Sequence, residues 1–276
     1  MFGMWIVIAL VVVGGQLAYR QVALKRRAAA ALAATAATGL AVTAETEDAP
    51  PLPFEMFNRG HGRRVRNRMW DPKDPTASVF DYEYTVRSGA GDNRSSRTYH
   101  HTCAVLAVPF SSPNLSLDKQ GFFDRIAIGF GGSDVQIGHA EFDELYRVKC
   151  NDEAFARTLL DQRFVGFLLQ DGRAGEIGIE LAGNHVLVAT TTRVDPSEFD
   201  DLLAFGHRLI GHLPSALAER SPNQPWAPWP GQAAGAPAPA AGSPFEAPGA
   251  VIQPPQRPPH PLSPPTAGPP RSTPIE

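Results

Sequence analysis

The first feature of the chain is a run of eighteen residues, Phe2 to Tyr19, without a charged side chain. As a helix rising about 1.5 Å per residue it reaches roughly 27 Å, close to the hydrocarbon thickness of a bilayer. Ile6, Val7, Ile8, Leu10, Val11, Val12 and Val13 make it apolar all round, which a helix buried on one side of a soluble core does not require. A membrane span is therefore expected. A cleaved signal peptide is not, because nothing basic precedes Trp5 and the first cation is Arg20. Arg20, Lys25, Arg26 and Arg27 all follow the run, and cations beside a span resist translocation. The expected placement is the cell membrane, single-pass, with the N-terminus outside and the rest cytoplasmic.

Residues 1–27 thus read as a transmembrane anchor with a basic flank. Residues 28–53 read as an Ala-rich helical stalk ending at Gly39, then a hinge with Glu45, Asp48 and Pro50, Pro51 and Pro53. A second span over Ala28–Ala44 competes with the stalk, although alanine and threonine are only weakly apolar. At the other end, 18 of the 27 prolines fall between Ser221 and Glu276, beside only five Leu, Ile, Val or Phe residues. Such a segment cannot bury enough apolar area to offset the entropy of ordering, and residues 221–276 are expected to form a disordered tail. Pro255–Pro258 and Pro258–Pro261 match a bare PxxP spacing that an aromatic groove could take. Trp226 and Trp229 are large amphipathic anchors for a protein partner.

The remaining residues, 54–220, are enough for one core. In Val79–Val86 the aromatic residues alternate with Asp81, Glu83 and Thr85, the period of a strand with one wet face. A turn-rich stretch, Ser88–Asn93, joins it to the β-branched run Thr98–Val108 as a hairpin. A second hairpin is expected from Ile177–Leu181, a Gly183-Asn184 turn and Val186–Thr192. Asn151 can cap a helix burying Phe155, Leu159 and Leu160, and Asp161 can restart it through Phe164, Phe167 and Leu168. Asp195-Pro196-Ser197-Glu198 opens a last helix with its stripe at Phe199, Leu202, Leu203, Leu209, Ile210 and Leu213, ended by Pro214. The fold class is α+β: a mainly antiparallel sheet with two or three packed helices.

Phe57-Asn58-Arg59-Gly60-His61-Gly62-Arg63-Arg64, then Val79–Tyr84, Gly131-Gly132-Ser133-Asp134-Val135, Glu141-Phe142, Tyr146-Arg147-Val148 and Asn151–Leu160 follow one another through most of this domain. In this order they resemble an uncharacterised family of actinobacterial single-pass membrane-anchored proteins. The resemblance implies an anchored domain and no assigned activity.

A net charge of −3 and a pI near 6.2 argue against a nucleic-acid-binding protein, whose domain is usually basic. Two cysteines are too few for a disulfide scaffold and stay reduced in a cytoplasmic domain; an envelope-side domain could instead carry a Cys103–Cys150 disulfide. His100, His101 and Cys103 form the densest group of metal-ligand types, with Cys150, His139 and His185 as available partners. His101 and Cys103 share a strand face, so a zinc site or a thiol nucleophile is the enzymatic alternative; cysteine as a small hydrophobe beside a strand histidine accounts for the same residues. Gly129-Phe130-Gly131-Gly132-Ser133-Asp134 has the glycines of a phosphate loop, but the extended Val135-Gln136-Ile137-Gly138 follows it where a helix would be needed. Arg59, Arg63, Arg64, Arg66 and Arg68 can hold the domain to anionic lipid or simply charge a strand edge. Glu141, Asp143 and Glu144 read as the exposed face of a short turn. The sequence thus points to a membrane-anchored binding or scaffold domain, not an enzyme, with no cofactor.

Overall fold

The computed structural model describes residues 2–44, 46–48, 52–89, 94–119 and 133–219. Phe2–Thr38 is one helix of 37 residues, α1, carried beyond the apolar run by good helix formers. It stops at Gly39, whose φ of +74° is the left-handed conformation that closes helices, and whose N–H donates to Thr35 O at 2.9 Å. Among the described residues no helix is long and apolar enough to cross a membrane. The side chains of residues 2–10, the first half of the apolar run, lie outside that set. The competing span over Ala28–Ala44 is corrected, because Ala31 is fully buried and Ala34 packs against the same core.

The helical stalk runs to Gly39 as read, although packed on the core, whereas the hinge is corrected where it is described, Glu45, Pro50 and Pro51 lying outside the described residues. Past Gly39 the chain forms β1, Ala41–Thr43, and β2, Glu47–Asp48, both antiparallel to β3, His61–Asp71. Leu40 and Val42 pack on the core, so this segment has both apolar area to bury and a strand edge to pair with.

β4, Asp74–Ser88, and β5, Ser95–Lys119, form the first expected hairpin, in register from Ala77 opposite Leu106 to Ser88 opposite Ser95; residues 90–93 of its turn are outside the described set. At 25 residues β5 is the spine of the sheet. Around Cys103–Leu106 it lies between β4 and β8, Ile177–Thr190; at Leu115–Asp118 it lies between β8 and β7, Tyr146–Cys150. β6, Ser133–Asp134, pairs beyond β7. Every pairing is antiparallel.

The hairpin expected at Gly183-Asn184 does not form. β8 runs straight through, and both of its halves pair with β5, with register irregularities opposite Ser112. Gly183 has a φ of +58°, which a two-residue turn with glycine at its first central position would also use, so the outcome is decided by the ladder that β5 offers to both halves. One left-handed residue kinks a strand without reversing it.

Neither face of the sheet is wet at its centre, which corrects the one-sided reading. On the helix face, Ala77, Val79, Ala104, Leu106, Val186 and Val188 lie under α1 and under α5, Phe199–Gly211. On the turn face, Phe80, Tyr82, Tyr84, Cys103, Leu187 and Ala189 are covered by Phe54, Met56 and Phe57 at the 3₁₀ turn Glu55–Asn58. Phe57 meets Tyr82 edge-on with centroids 4.9 Å apart. Three short helices complete the helix side: α2, Ala140–Leu145; α3, Glu153–Leu159; and α4, Gln162–Gln170. α3 is capped one residue later than expected, by Asp152 accepting from the Phe155 N–H at 2.9 Å, while Asp161 caps α4 as read, accepting from Phe164 N–H at 2.8 Å. The cap of the last helix also stands, with Asp195 accepting from the Ser197 N–H before Pro196–Glu198 leads into α5. The glycines of the phosphate-loop reading, at 129, 131 and 132, and the tail, with Trp226, Trp229 and the PxxP matches, lie outside the described set, whereas Ser133–Asp134 form β6 and Val135–Gly138 are non-helical as expected.

Gly60 connects the turn to β3 with φ +60°, and a Cβ there would sit 2.4 Å from Thr85 O. Gly62 has nearly the same φ, +61°, in open space. Gly60→Ala should therefore destabilise the chain by about 2 kcal/mol or more, and Gly62→Ala by about 1 kcal/mol. Urea unfolding of the two variants checks this; equal losses would mean the close approach to β4 costs nothing.

Candidate functional site

His101 and Cys103 do share the turn face of β5, but the face is packed. His101 is 2% exposed, its Nδ1 lies 2.7 Å from Thr190 O, and its ring stacks on Tyr84 with centroids 5.8 Å apart. Burial, outweighing the Thr190 contact, pushes its pKa down to about 4. The Cys103 thiol is pushed up, first by burial and then by Glu180 and Asp81, the opposite of what activates a nucleophile. His100 projects to the other face, with Nδ1 3.6 Å from Glu83 Oε2. His139 caps α2, its Nδ1 accepting from the Phe142 N–H. His185 is buried on β8, and burial lowers its pKa. Among the described residues no group of three or more His, Cys, Asp or Glu could hold a metal ion. The disulfide alternative is corrected: Cys103 and Cys150 are not joined, and they belong to clusters on opposite faces of the sheet.

The five arginines read as one basic cluster are divided by the strand. Arg68 is 3% exposed, pairs with Glu47 at 3.1 Å and lies 4.6 Å over the Trp70 ring. Arg66 pairs with Glu83 at 3.4 Å. Arg63 is exposed and donates to Phe57 O at 2.7 Å. Arg59 is half-buried, and burial lowers its pKa against the opposing pull of Tyr84, Tyr99 and Glu55. Arg64 is exposed.

The site that pattern reading missed is centred on Asp81, which is 1% exposed in the middle of β4. Its Oδ2 accepts from Arg27 Nε at 2.6 Å and from Asn67 Nδ2 at 2.8 Å. Its Oδ1 accepts from a terminal nitrogen of Arg27 at 2.7 Å and from Thr102 Oγ1 at 3.3 Å. Four donors match the four lone-pair sites of a carboxylate. The same Arg27 nitrogen also donates to Val194 O at 2.5 Å, and the Val194 N–H donates to Thr102 Oγ1 at 3.1 Å. Asn67 reaches the carboxylate from an irregular stretch of β3, where its φ is +50°. Beside it, Glu83 collects Arg193 at 3.1 Å along with Arg66 and His100. Arg27, the last cation of the expected basic flank, is therefore the fastener between α1 and the sheet. Burial of the aromatic residues of β4 was legible; that Asp81, on the face read as wet, is buried and matched by an arginine on a distant helix has no local signature.

On the turn face, Glu180 is 2% exposed and accepts from the Glu55 N–H at 3.0 Å, capping the turn that covers the aromatics. Its Oε1 and the Oγ of its cross-strand partner Ser116 have no hydrogen-bond partner. Burial, against the Glu55 and Met56 N–H contacts, pushes its pKa up to about 8. Elsewhere, Gln162, Arg163, Phe167, Asp171 and His212 line an open groove of about 510 Å³. Within it Asp171 pairs with Arg208 at 3.0 Å, and Arg163 donates to Gly211 O at 2.9 Å.

No protein-family model matches the chain, and no curated protein does. Among solved structures, the mycobacterial trehalose monomycolate transport factor A is similar at 12% identity over 68% of this chain and 96% of that chain, with a TM-score of 0.46. The function is therefore argued from the residues.

Asp81→Ala should cost about 3 kcal/mol by leaving Arg27 without its carboxylate, and Arg27→Met a similar amount. The double variant should cost clearly less than the sum, because both remove one interaction; additive losses in denaturant melts would contradict the pairing. For Glu180, between about pH 4.5 and 8 the folded chain retains a proton that the unfolded chain has lost, so stability falls as pH rises through that window and levels off above it. The buried His101 acts in the opposite sense between about pH 4 and 6.5, where the unfolded chain takes up a proton and the folded one does not. Between pH 6.5 and 8 the native chain should thus lose on the order of 1–2 kcal/mol, and Glu180→Gln should abolish the slope. An unchanged slope would sink the assignment.

Proposed function

We propose that this chain is a membrane-anchored, non-catalytic binding or scaffold domain. The N-terminal part of α1 lies in the bilayer with its end outside, and the domain is cytoplasmic. Residues 221–276 serve as a recruiting tail through Trp226, Trp229 and the PxxP segments, and exposed arginines can meet anionic lipid.

The observation that supports this reading best is the continuity of α1. Its described apolar residues are bare, Val11 at 67%, Val12 at 52%, Val13 at 54% and Tyr19 at 77% exposure, yet the same helix ends locked to the sheet by Arg27. Apolar surface left in water costs about 25 cal/mol per Å², and a bilayer removes that cost. Tyr19 and Arg27 are only about 12 Å apart along the helix axis, so the domain hangs directly below the membrane surface with little slack. The non-catalytic part of the reading is supported by the chemistry of the buried groups: Cys103 and His101 are packed and shifted away from reactivity, and the Asp81 carboxylate is already filled by its four donors.

Membrane fractions washed with alkaline carbonate should retain the full chain and lose a chain lacking residues 2–19. For orientation, a label on the native thiols is uninformative because Cys103 and Cys150 are buried. Ser96→Cys, at an exposed site, should resist an impermeant maleimide in intact cells and react after lysis. Labelling of intact cells would place the domain outside and overturn the cytoplasmic reading.

A further inference from the structure

α1 tracks the sheet in one direction. Its C-terminal end leads into Ala41, opposite Trp70, which in turn pairs with Ser78; earlier along the helix, Arg27 grips Asp81. Earlier still is Arg20: His100, opposite Glu83, is depressed by burial, then by Arg193, and also by Arg20. The helix therefore advances toward its apolar end as β4 advances toward Ser88. From Asp81 to Ser88, β4 spans roughly 23 Å, whereas Arg27 and Tyr19 are about 12 Å apart. The β4–β5 hairpin thus reaches the level at which the apolar run of α1 begins.

That end of the sheet is basic. Arg87 on β4, Arg94 just before β5 and Arg97 at its start, and His61, Arg63 and Arg64 at the start of β3 are all exposed. His61 is in register with Thr85, Arg64 with Glu83, and Arg97 with Val86, which gathers them at one end. Of the described acidic residues in register with them, Glu83 is already held by Arg66 and Arg193, and the exposed Asp48, in register with Arg64, offsets that one cation and leaves Arg87, Arg94 and Arg97 in excess. In a chain of net charge −3, this concentration of cations lies beside the helix segment that is bare of polar cover.

We infer that this basic end of the sheet, led by Arg87, Arg94 and Arg97, rests on the anionic phospholipid headgroups of the bilayer that holds α1. The inference rests on the anchored reading and adds the second contact. Each well-placed cation near an anionic surface contributes about 1 kcal/mol, and a hydrophobic span with a basic patch is the two-signal arrangement that fixes a domain's attitude to a membrane. The surface shares Arg63 and Arg64 with the expected Arg59–Arg68 cluster but is led by the arginines of the β4–β5 hairpin, while Arg66 and Arg68 of that cluster are paired to carboxylates.

The test uses the full chain, with a fluorophore on Ser96→Cys, reconstituted into vesicles of phosphatidylcholine alone or with about 30% phosphatidylglycerol and traces of a headgroup-quencher lipid. Quenching should be several-fold greater in the anionic vesicles, and should be lost with Arg87, Arg94 and Arg97 all changed to Glu, or more mildly to Gln should the reversal perturb folding. Equal quenching in both vesicle types, or quenching that survives both triple variants, overturns the inference. Flotation of the same samples separates the two readings: a chain that floats but shows no composition-dependent quenching defeats only the headgroup contact, whereas one that does not float defeats the anchor and this inference with it.

Discussion

The bidentate pair between Arg27 and Asp81 determines what kind of molecule this is. A carboxylate in the centre of a covered sheet is costly unless its lone pairs are filled, and Asp81 meets that condition only when α1 lies across β4. Breaking such a pair costs far more than a surface ion pair does, because the remaining charge stays out of water. Thr102 and Asn67 complete the carboxylate's shell, and Val194, bound to both Arg27 and Thr102, extends the same network to the segment that leads into α5. The N-terminal helix, the sheet centre and the start of the last helix are thereby coupled through one polar cluster enclosed by apolar packing.

That coupling changes the meaning of the N-terminus. A span followed by a flexible linker would let a domain sample a wide volume beneath a membrane. Here the helix that carries the apolar run is itself part of the core, with Ala31 fully buried and β1 and β2 added to β3 immediately after it. The consequence is orientation: the same end of the sheet faces the same way as the apolar end of the helix, and that end is where the exposed arginines collect. Binding functions gain from such preorganisation because the entropy of orienting the domain has already been lost in folding.

Much of the fold was legible because its signals are local. The alternation in Val79–Val86, the first hairpin, the Asp161 and Asp195 caps, the end of α1 at Gly39 and the stripe of α5 each depend on neighbours within one or two turns. The failures share a different cause. Gly183-Asn184 has turn chemistry, yet the long partner β5 offers both halves of β8 a ladder, and pairing outweighs the turn. Asp81 alternates with aromatics as a solvent-facing residue would, and Arg27 sits among cations as a membrane flank would; their match spans 54 positions and leaves no periodic trace. The basic cluster is divided for a similar reason, since sequence proximity on β3 does not show that Glu47 and Glu83, on the neighbouring strands, pair with Arg68 and Arg66. His101 and Cys103 were correctly placed on one face, but only packing reveals that the face is filled with Tyr84 and its neighbours.

The central claim is that α1 and the sheet form one body joined by Arg27 and Asp81. Pulsed electron-spin distances between labels on Gln21→Cys of α1 and Ser88→Cys at the end of β4, both exposed, test it most directly in the membrane-reconstituted full chain. The account predicts a single narrow distance distribution that broadens when Asp81 is changed to Ala. A broad distribution in the native chain, or one indifferent to that change, would contradict it.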